Sequence, residues 1–154
     1  MRIIIVIALL TVSFMGCKKD KFDTVPQIKY KSISPNVFPR SNVNSKEGPV
    51  LTINVKDAEG DFGFKTGTDT SYVYVKNITI APFRIDSLKF PDLANAKRSN
   101  LDADVNVLIR SVLASSNRPN RPFTDTLYFE VYVKDFAKNK SNVITAGPVF
   151  YISD

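Results

Sequence analysis

The chain has 154 residues, a formal net charge of +6 at pH 7, one cysteine, and neither histidine nor tryptophan. Without histidine, the commonest general base and zinc ligand is missing, as is every Ser/His or Cys/His nucleophile pair. The positive charges are spread along the chain, whereas a nucleic-acid-binding protein usually concentrates them on one face of a recognisable module. The composition therefore argues against nucleic-acid binding, and because no other catalytic constellation stands out, we expect no enzymatic activity.

The first residues predict an export signal. Arg2 precedes an uncharged apolar run at 3–14, and Cys17 follows. This run is shorter than the roughly 20 residues that a membrane-spanning helix needs, and the order of its parts is that of a secretory signal. The segment Phe14-Met-Gly-Cys17 resembles a bacterial lipobox, in which the cysteine thiol is acylated and the peptide bond before it is cut. Its Phe and Met depart from the usual Leu and Ala or Ser.

Lipidation would also account for a lone cysteine in an exported chain, which cannot form an internal disulfide. Three acyl chains would make the attachment permanent, since each buried methylene contributes about 0.8 kcal/mol. We therefore expect a signal peptide at 1–16, a lipidated tether beginning with Cys17 at 17–25, and one domain at 26–154. Lys18, directly after the cysteine, is typical of an outer-membrane destination, with the domain on either the periplasmic or the cell-surface face.

Alternation of apolar and polar residues predicts an all-β domain. The expected strands cover 26–34, 49–56, 71–81, 83–90, 101–113, 126–134 and 142–153. Alternation puts Ile28 and Ile33 on opposite faces of the first strand and Leu51, Ile53 and Val55 on one face of the second. In the sixth strand it points Leu127, Phe129, Val131 and Val133 inward. Turns are expected at 36–48, and a single helical turn within 92–100. About seven short strands favour an antiparallel Greek-key β-sandwich of the immunoglobulin or fibronectin III type. An eight-stranded closed barrel is the alternative.

Two stretches resemble a known family. The segment 55–63, Val-Lys-Asp-Ala-Glu-Gly-Asp-Phe-Gly, is similar to the strand and acidic turn of small uncharacterised Bacteroidetes-type lipoproteins with an immunoglobulin-like domain. The segment 128–142 resembles the strand, D-x-A-G-N-x-S-N, strand ending of bacterial immunoglobulin-like repeats, with Lys138 in place of the usual glycine. The resemblance implies a fold and a location, and it implies no activity.

The acidic loops that follow the second and the sixth predicted strands suggest a cation site. In an immunoglobulin-type topology, the loop after the second strand and the loop before the last strand emerge at the same end. The oxygen donors that would meet there are Asp57, Glu59, Asp61, Asp135, Asn139 and Asn142. Such donors suit Ca²⁺, which takes six to eight oxygen ligands. The opposing interpretation is an ordinary solvated turn. In that case lysines neutralise the acids, and the candidates are Lys56, Lys65, Lys134, Lys138 and Lys140.

Tyrosines on the third and sixth predicted strands suggest a second kind of ligand. They are Tyr72, Tyr74, Tyr128 and Tyr132. Aromatic faces on a flat sheet can stack on sugar rings, as in glycan-binding accessory lipoproteins of outer-membrane nutrient-uptake systems. The opposing interpretation is that these rings only cover the edge of the core. The sequence thus predicts a non-catalytic binding or structural module at the cell envelope, with the membrane and a protein or glycan as partners.

Overall fold

A computed structural model describes residues 22–44, 46–63, 70–91 and 99–154. The predicted signal peptide, Cys17 and residues 92–98 of the predicted helical turn lie outside this part of the chain. The described residues form eight strands and two short 3-10 turns, at Arg40–Asn44 and Arg110–Val112. The strands are β1 (Gln27–Ser34), β2 (Val37–Pro39), β3 (Val50–Asp57), β4 (Tyr72–Asn77), β5 (Ile85–Lys89), β6 (Leu101–Leu108), β7 (Phe123–Lys134) and β8 (Ile144–Ser153). None of the helical segments described here could span a bilayer.

The strands form two sheets. One has the order β1-β3-β6, and the other has the order β2-β8-β7-β4-β5. Neighbouring strands are antiparallel, except that β2 runs parallel to β8. The all-β prediction is confirmed, and the two separate sheets give a β-sandwich-like fold in place of the closed barrel that was the alternative.

The alternating pattern of the long strands supplies the core. The residues expected to point inward are buried: Leu51, Ile53 and Val55 on β3, and Leu127, Phe129, Val131 and Val133 on β7. Burying one such side chain is worth about 1.5–3 kcal/mol. The two sheets share this core, so burial of the alternating apolar side chains also holds the sheets together.

The structure departs from strict alternation in β1. The sequence places Ile28 and Ile33 on opposite faces, yet both are buried. A register shift between Tyr30 and Ser32 in the pairing with β3 explains this, since one extra residue reverses the faces that follow it. The predicted assignment of faces in this strand is therefore wrong beyond the bulge.

The segment expected to contain only turns holds a short strand. β2 pairs with β8 at the edge of the five-stranded sheet and buries Phe38. Pro39 is tolerated there because an edge strand can leave one side of its backbone unpaired. Two predicted strands are also shorter than expected, since β4 ends at Asn77 and β6 ends at Leu108 before a 3-10 turn.

Candidate metal site between two loops

Two strand ends bring three carboxyl groups together. Asp57 is the last residue of β3, and Asp135 directly follows β7. The loop that carries Asp61 is held against the β7–β8 connection, because the N–H of Phe136 donates to the Asp61 carbonyl (3.0 Å) and that of Ala137 to Asp61 Oδ2 (3.4 Å). As a result, one carboxylate oxygen from each of the three aspartates lies within 4.8 Å of the others. The three aspartates therefore lie close together, as predicted.

Asp57 is the most confined member of this cluster. Its side chain is completely buried, with an exposed fraction of 0%. Asp57 Oδ2 accepts a hydrogen bond from the N–H of Gly60, whereas Oδ1 has no hydrogen-bond partner among the described residues. Asp61 Oδ1 is also buried without a partner in this part of the chain. Burying a carboxylate oxygen without a donor is unfavourable, and a cation would provide the missing interaction.

The shared environment makes these groups hard to ionise. Burial, together with the nearby charges of Asp135 and Asp57, raises the pKa of Asp61 to about 6. Burial also raises the pKa of Asp57, and the charge of Asp135 adds to this while the hydrogen bond from Gly60 opposes it. A divalent cation would reverse this preference, because it favours the ionised form of every carboxyl group around it.

Three of the five lysines predicted as counter-ions contact other groups. Lys56 pairs with Asp102 at 2.8 Å. The ammonium groups of Lys134 and Lys140 lie over tyrosine rings, 5.5 Å and 4.2 Å from the ring centroids. Lys65 is outside the described residues. Across 22–44, 46–63, 70–91 and 99–154, no lysine or arginine forms a salt bridge with the cluster, so no ion pair with a lysine in these ranges neutralises it.

The other predicted ligands are placed differently. Glu59 is exposed and outside the cluster. Asn139 orients a cluster member, because its backbone N–H and Nδ2 donate to the two oxygens of Asp135 at 2.7 and 2.8 Å. Both polar atoms of the Asn142 carboxamide contact the backbone of Ile28, with Oδ1 accepting from its N–H (2.8 Å) and Nδ2 donating to its carbonyl (3.0 Å). Asn142 therefore joins β1 to the segment before β8, and its role as a ligand stays a prediction.

Sequence reasoning missed Gly60 as part of this site. Gly60 has a φ of 62° and turns the chain so that its N–H reaches Asp57. Glycine adopts this left-handed conformation without the steric cost that a side chain would add. The signal was present in the order Asp-Ala-Glu-Gly-Asp, where a single glycine sits between the acids.

The tyrosines lie on the outer face of the five-stranded sheet. Tyr74 and Tyr132 are directly opposite each other on β4 and β7, and their rings stack at 4.7 Å with an interplanar angle of 7°. The amines of Lys134 and Lys140 lie over these two rings. Much of the aromatic surface is therefore already in contact with neighbouring side chains. Tyr128, with an exposed fraction of 42%, is the most accessible of the four predicted tyrosines.

Comparisons with protein-family models, curated proteins and solved structures give no match to this chain. Functional conclusions for it rest on its own residues and their geometry.

Proposed function

We propose that this protein is a non-catalytic, calcium-binding module of the cell envelope, anchored to the outer membrane by lipids on Cys17. The observation that carries the calcium part is the fully buried Asp57, whose unpartnered oxygen belongs to a cluster with Asp61 and Asp135. Three carboxylates can offer up to six oxygens, which is within the range that calcium accepts. Backbone carbonyls and water would complete the coordination.

The strand order supports an immunoglobulin-like type for this sandwich. The orders β1-β3-β6 and β2-β8-β7-β4-β5 correspond to strands A-B-E and A′-G-F-C-C′ of that topology. The chain changes sheets between β1 and β2, and consecutive strands of the two sheets are interleaved as a Greek key requires. In this type the β3–β4 and β7–β8 loops share one end, where the three aspartates lie.

The position of the N-terminal segment indicates which end of the domain would face the membrane. The Ala58 N–H donates to the Asp23 carbonyl at 2.9 Å, so the domain begins beside the acidic loop. Cys17 precedes Asp23 by six residues, which span at most about 20 Å when fully extended. A domain anchored at Cys17 would therefore hold its acidic end close to the membrane. Calcium there would rigidify the loops nearest to the bilayer.

Thermal unfolding of the purified protein in chelator and in millimolar calcium tests this function. A ligand at 100 times its dissociation constant stabilises a protein by about 2.7 kcal/mol, so we expect a clear rise in Tm. Titration calorimetry should give one calcium per chain, and magnesium should bind more weakly because it demands a tighter octahedron.

Matched substitutions locate the effect within the loop. Asp57→Asn should abolish the calcium-dependent rise in Tm, since it removes the buried charge. Glu59→Gln removes one negative charge from the same loop at an exposed position and should leave the rise unchanged. An unchanged Tm in calcium, or equal losses in both variants, would contradict the proposed site.

The alternative function, a glycan-binding accessory role in a nutrient-uptake system, has weaker support. Stacking on sugars needs an open ring face, and the rings of Tyr74 and Tyr132 contact each other and two lysines. Tyr128 is more open, but a single exposed ring makes a small platform. A glycan array with hits that Tyr128→Ala removes would favour this alternative.

A further inference from the structure

A pocket of about 330 Å³ lies at the end of the sandwich remote from the acidic loops. Its polar lining residues are Arg40, Arg84, Arg110, Ser111, Ser115 and Tyr151. The two ends are separated by the length of β3. Asp57 is the last residue of β3, while the carbonyl of Pro49, just before its first residue, accepts a hydrogen bond from Ile109 beside Arg110. At about 3.4 Å per residue, β3 spans about 24 Å.

Three arginines from separate parts of the chain line this pocket. Arg40 follows β2, Arg84 precedes β5, and Arg110 begins the 3-10 turn after β6. Over the part of the chain that the structure describes, none of the three forms a salt bridge with a carboxylate. Like charges that are not paired in salt bridges repel one another, and an anionic ligand would reduce that repulsion.

Tyr151 places a buried hydroxyl-bearing side chain at the same pocket. Burial raises the pKa of Tyr151, the positive charges of Arg40 and Arg84 oppose this rise, and the charge of Asp154 adds to it. Tyr151 and the two arginines line the same pocket. Asp154 is the nearby acid, and its pKa is held below the usual range, first by a hydrogen bond from the Ser41 side chain.

The pocket wall formed by residues 113–115 already receives two arginine contacts. Arg40 Nη1 donates to Ser115 Oγ at 3.3 Å, and Arg84 Nη1 donates to the Leu113 carbonyl at 3.5 Å. A guanidinium has five N–H donors in a planar fork, so one contact each leaves donors for a ligand. The next residue, Ser116, is fixed by hydrogen bonds from its N–H and hydroxyl to buried Asp125, both 2.7 Å.

A buried asparagine ties two walls of the pocket together. The backbone N–H of Asn77 donates to the Arg84 carbonyl at 2.7 Å, and its Nδ2 donates to the Val112 carbonyl at 3.0 Å. Asn77 is completely buried, with an exposed fraction of 0%. The segments that carry Arg84 and Arg110 are therefore positioned by the core. Such preorganisation lowers the entropy lost when a ligand binds.

We propose that this arginine pocket binds a small polar molecule through a phosphate or sulfate ester group. Three positive charges match a doubly charged or tetrahedral oxyanion better than a single carboxylate. Guanidinium forks and serine hydroxyls are the donors that such groups use. The pocket volume lies at the lower end of the range for small-molecule sites, so it has room for an ester-bearing sugar as well as the oxyanion. This proposal does not depend on the calcium site.

Titration calorimetry on the full protein at low salt tests the proposal. The probes are glucose 6-phosphate, glucose 6-sulfate, neutral glucose, and inorganic phosphate and sulfate. We expect one of the two esters to bind one per chain, and glucose to show no binding. The ester that binds more tightly identifies the oxyanion, and tighter binding of an ester than of its inorganic ion shows that the pocket also holds the organic part.

Two single-charge variants localise the binding. Arg84→Gln should weaken ester binding about tenfold or more, since a hydrogen bond to a charged group contributes about that factor. Lys29→Gln also removes one positive charge, from the exposed face of β1 on the other sheet, and should leave the affinity unchanged apart from a small nonspecific effect. Both positions are exposed, so unaltered Tm values will show that the variants fold. The proposal fails if neither ester binds, or if both variants bind equally well.

Discussion

The two ends of this sandwich carry clusters of opposite charge, and the clusters differ in how far they are exposed to solvent. At the acidic end, the cluster of Asp57, Asp61 and Asp135 is shielded from solvent and includes oxygens without partners. At the other end, three arginines surround a pocket that still opens to solvent. The contrast shows what each end can hold. A shielded cluster suits a bare metal ion, whereas an open pocket suits a larger ligand that stays partly hydrated.

The ends should also respond independently to mutation. They are separated by about 24 Å along β3, and substitutions that far apart usually have additive effects. A change at one end that altered the affinity at the other would show that the sandwich couples its two sites.

The largest effect we expect comes from Asn77→Ala at the arginine end. This change leaves the buried Val112 carbonyl and the partly buried N–H groups of Thr79 and Ile80 without their side-chain partner. The free energy of unfolding should fall by about 3 kcal/mol, and ester binding should weaken at least tenfold. Urea unfolding and calorimetry measure the two quantities.

Asn142→Ala is the matched control at the acidic end. Asn142 makes two hydrogen bonds to the backbone of Ile28, but it is exposed, so water can replace it. We expect a loss of about 1 kcal/mol and unchanged ester binding. If both asparagine variants weakened the ester equally, Asn77 would have no specific role in positioning the pocket.

A smaller effect should appear in the dependence of stability on pH. The pKa values of Asp57 and Asp61 are raised in the folded protein, to about 6 for Asp61, so the native state holds protons that the unfolded state releases. Without calcium, the free energy of unfolding should therefore decrease as pH rises from about 4 to about 6. Thermal unfolding in chelator at several pH values measures this slope.

Adding calcium and substituting Asp61→Asn both test whether the carboxyl groups of the cluster cause that pH dependence. Calcium should restore stability above pH 6, because it binds the deprotonated carboxylates. In the absence of calcium, Asp61→Asn should flatten the slope and raise the Tm at pH 7, whereas Glu59→Gln should do neither. A Tm at pH 7 that Asp61→Asn lowers in chelator would contradict the idea that this aspartate is unfavourably placed without a cation.

The smallest effect we expect is that of Gly48→Ala. A Cβ at Gly48 would lie 3.1 Å from Arg110 Cβ and 3.2 Å from Leu108 Cδ1, which is closer than ordinary van der Waals contact. The stem of Arg110 should shift slightly, weakening ester binding about twofold with little change in stability. In an Arg110→Gln background the same change should have no further effect on binding, because glutamine lacks the guanidinium whose displacement weakens it.

Local pattern was enough to predict most of the fold. Alternation in β3 and β7 predicted their inward faces, since a strand turns successive side chains to opposite sides. The short β2 was not predicted because its three residues follow Pro35 closely, end in Pro39 and are too few to show an alternating pattern. The bulge in β1 escaped as well, since it depends on how that strand pairs with β3.

The candidate cation site was predictable in part. Asp57, Asp61 and Asp135 follow two predicted strands, and the expected immunoglobulin-type topology puts the loops after those strands at the same end. Glu59 and Asn142 were predicted as ligands for the same reason, that they are oxygen-bearing residues near these loops. In the structure Glu59 is exposed, and Asn142 holds the backbone of Ile28. Residue type shows what a side chain can bind, whereas its partner depends on which group the fold places next to it.

The sequence by itself determined that the domain is built of strands, which residues of β3 and β7 enter its core, and that acidic loops follow two of those strands. These properties depend on residues close together in the chain, where periodicity and turn chemistry act. Only the tertiary structure decided that Asp57 is buried with an unpartnered oxygen, and that Arg40, Arg84 and Arg110 surround one pocket. Those arginines are separated by dozens of residues and belong to no local pattern, so their meeting depends on how the two sheets pack.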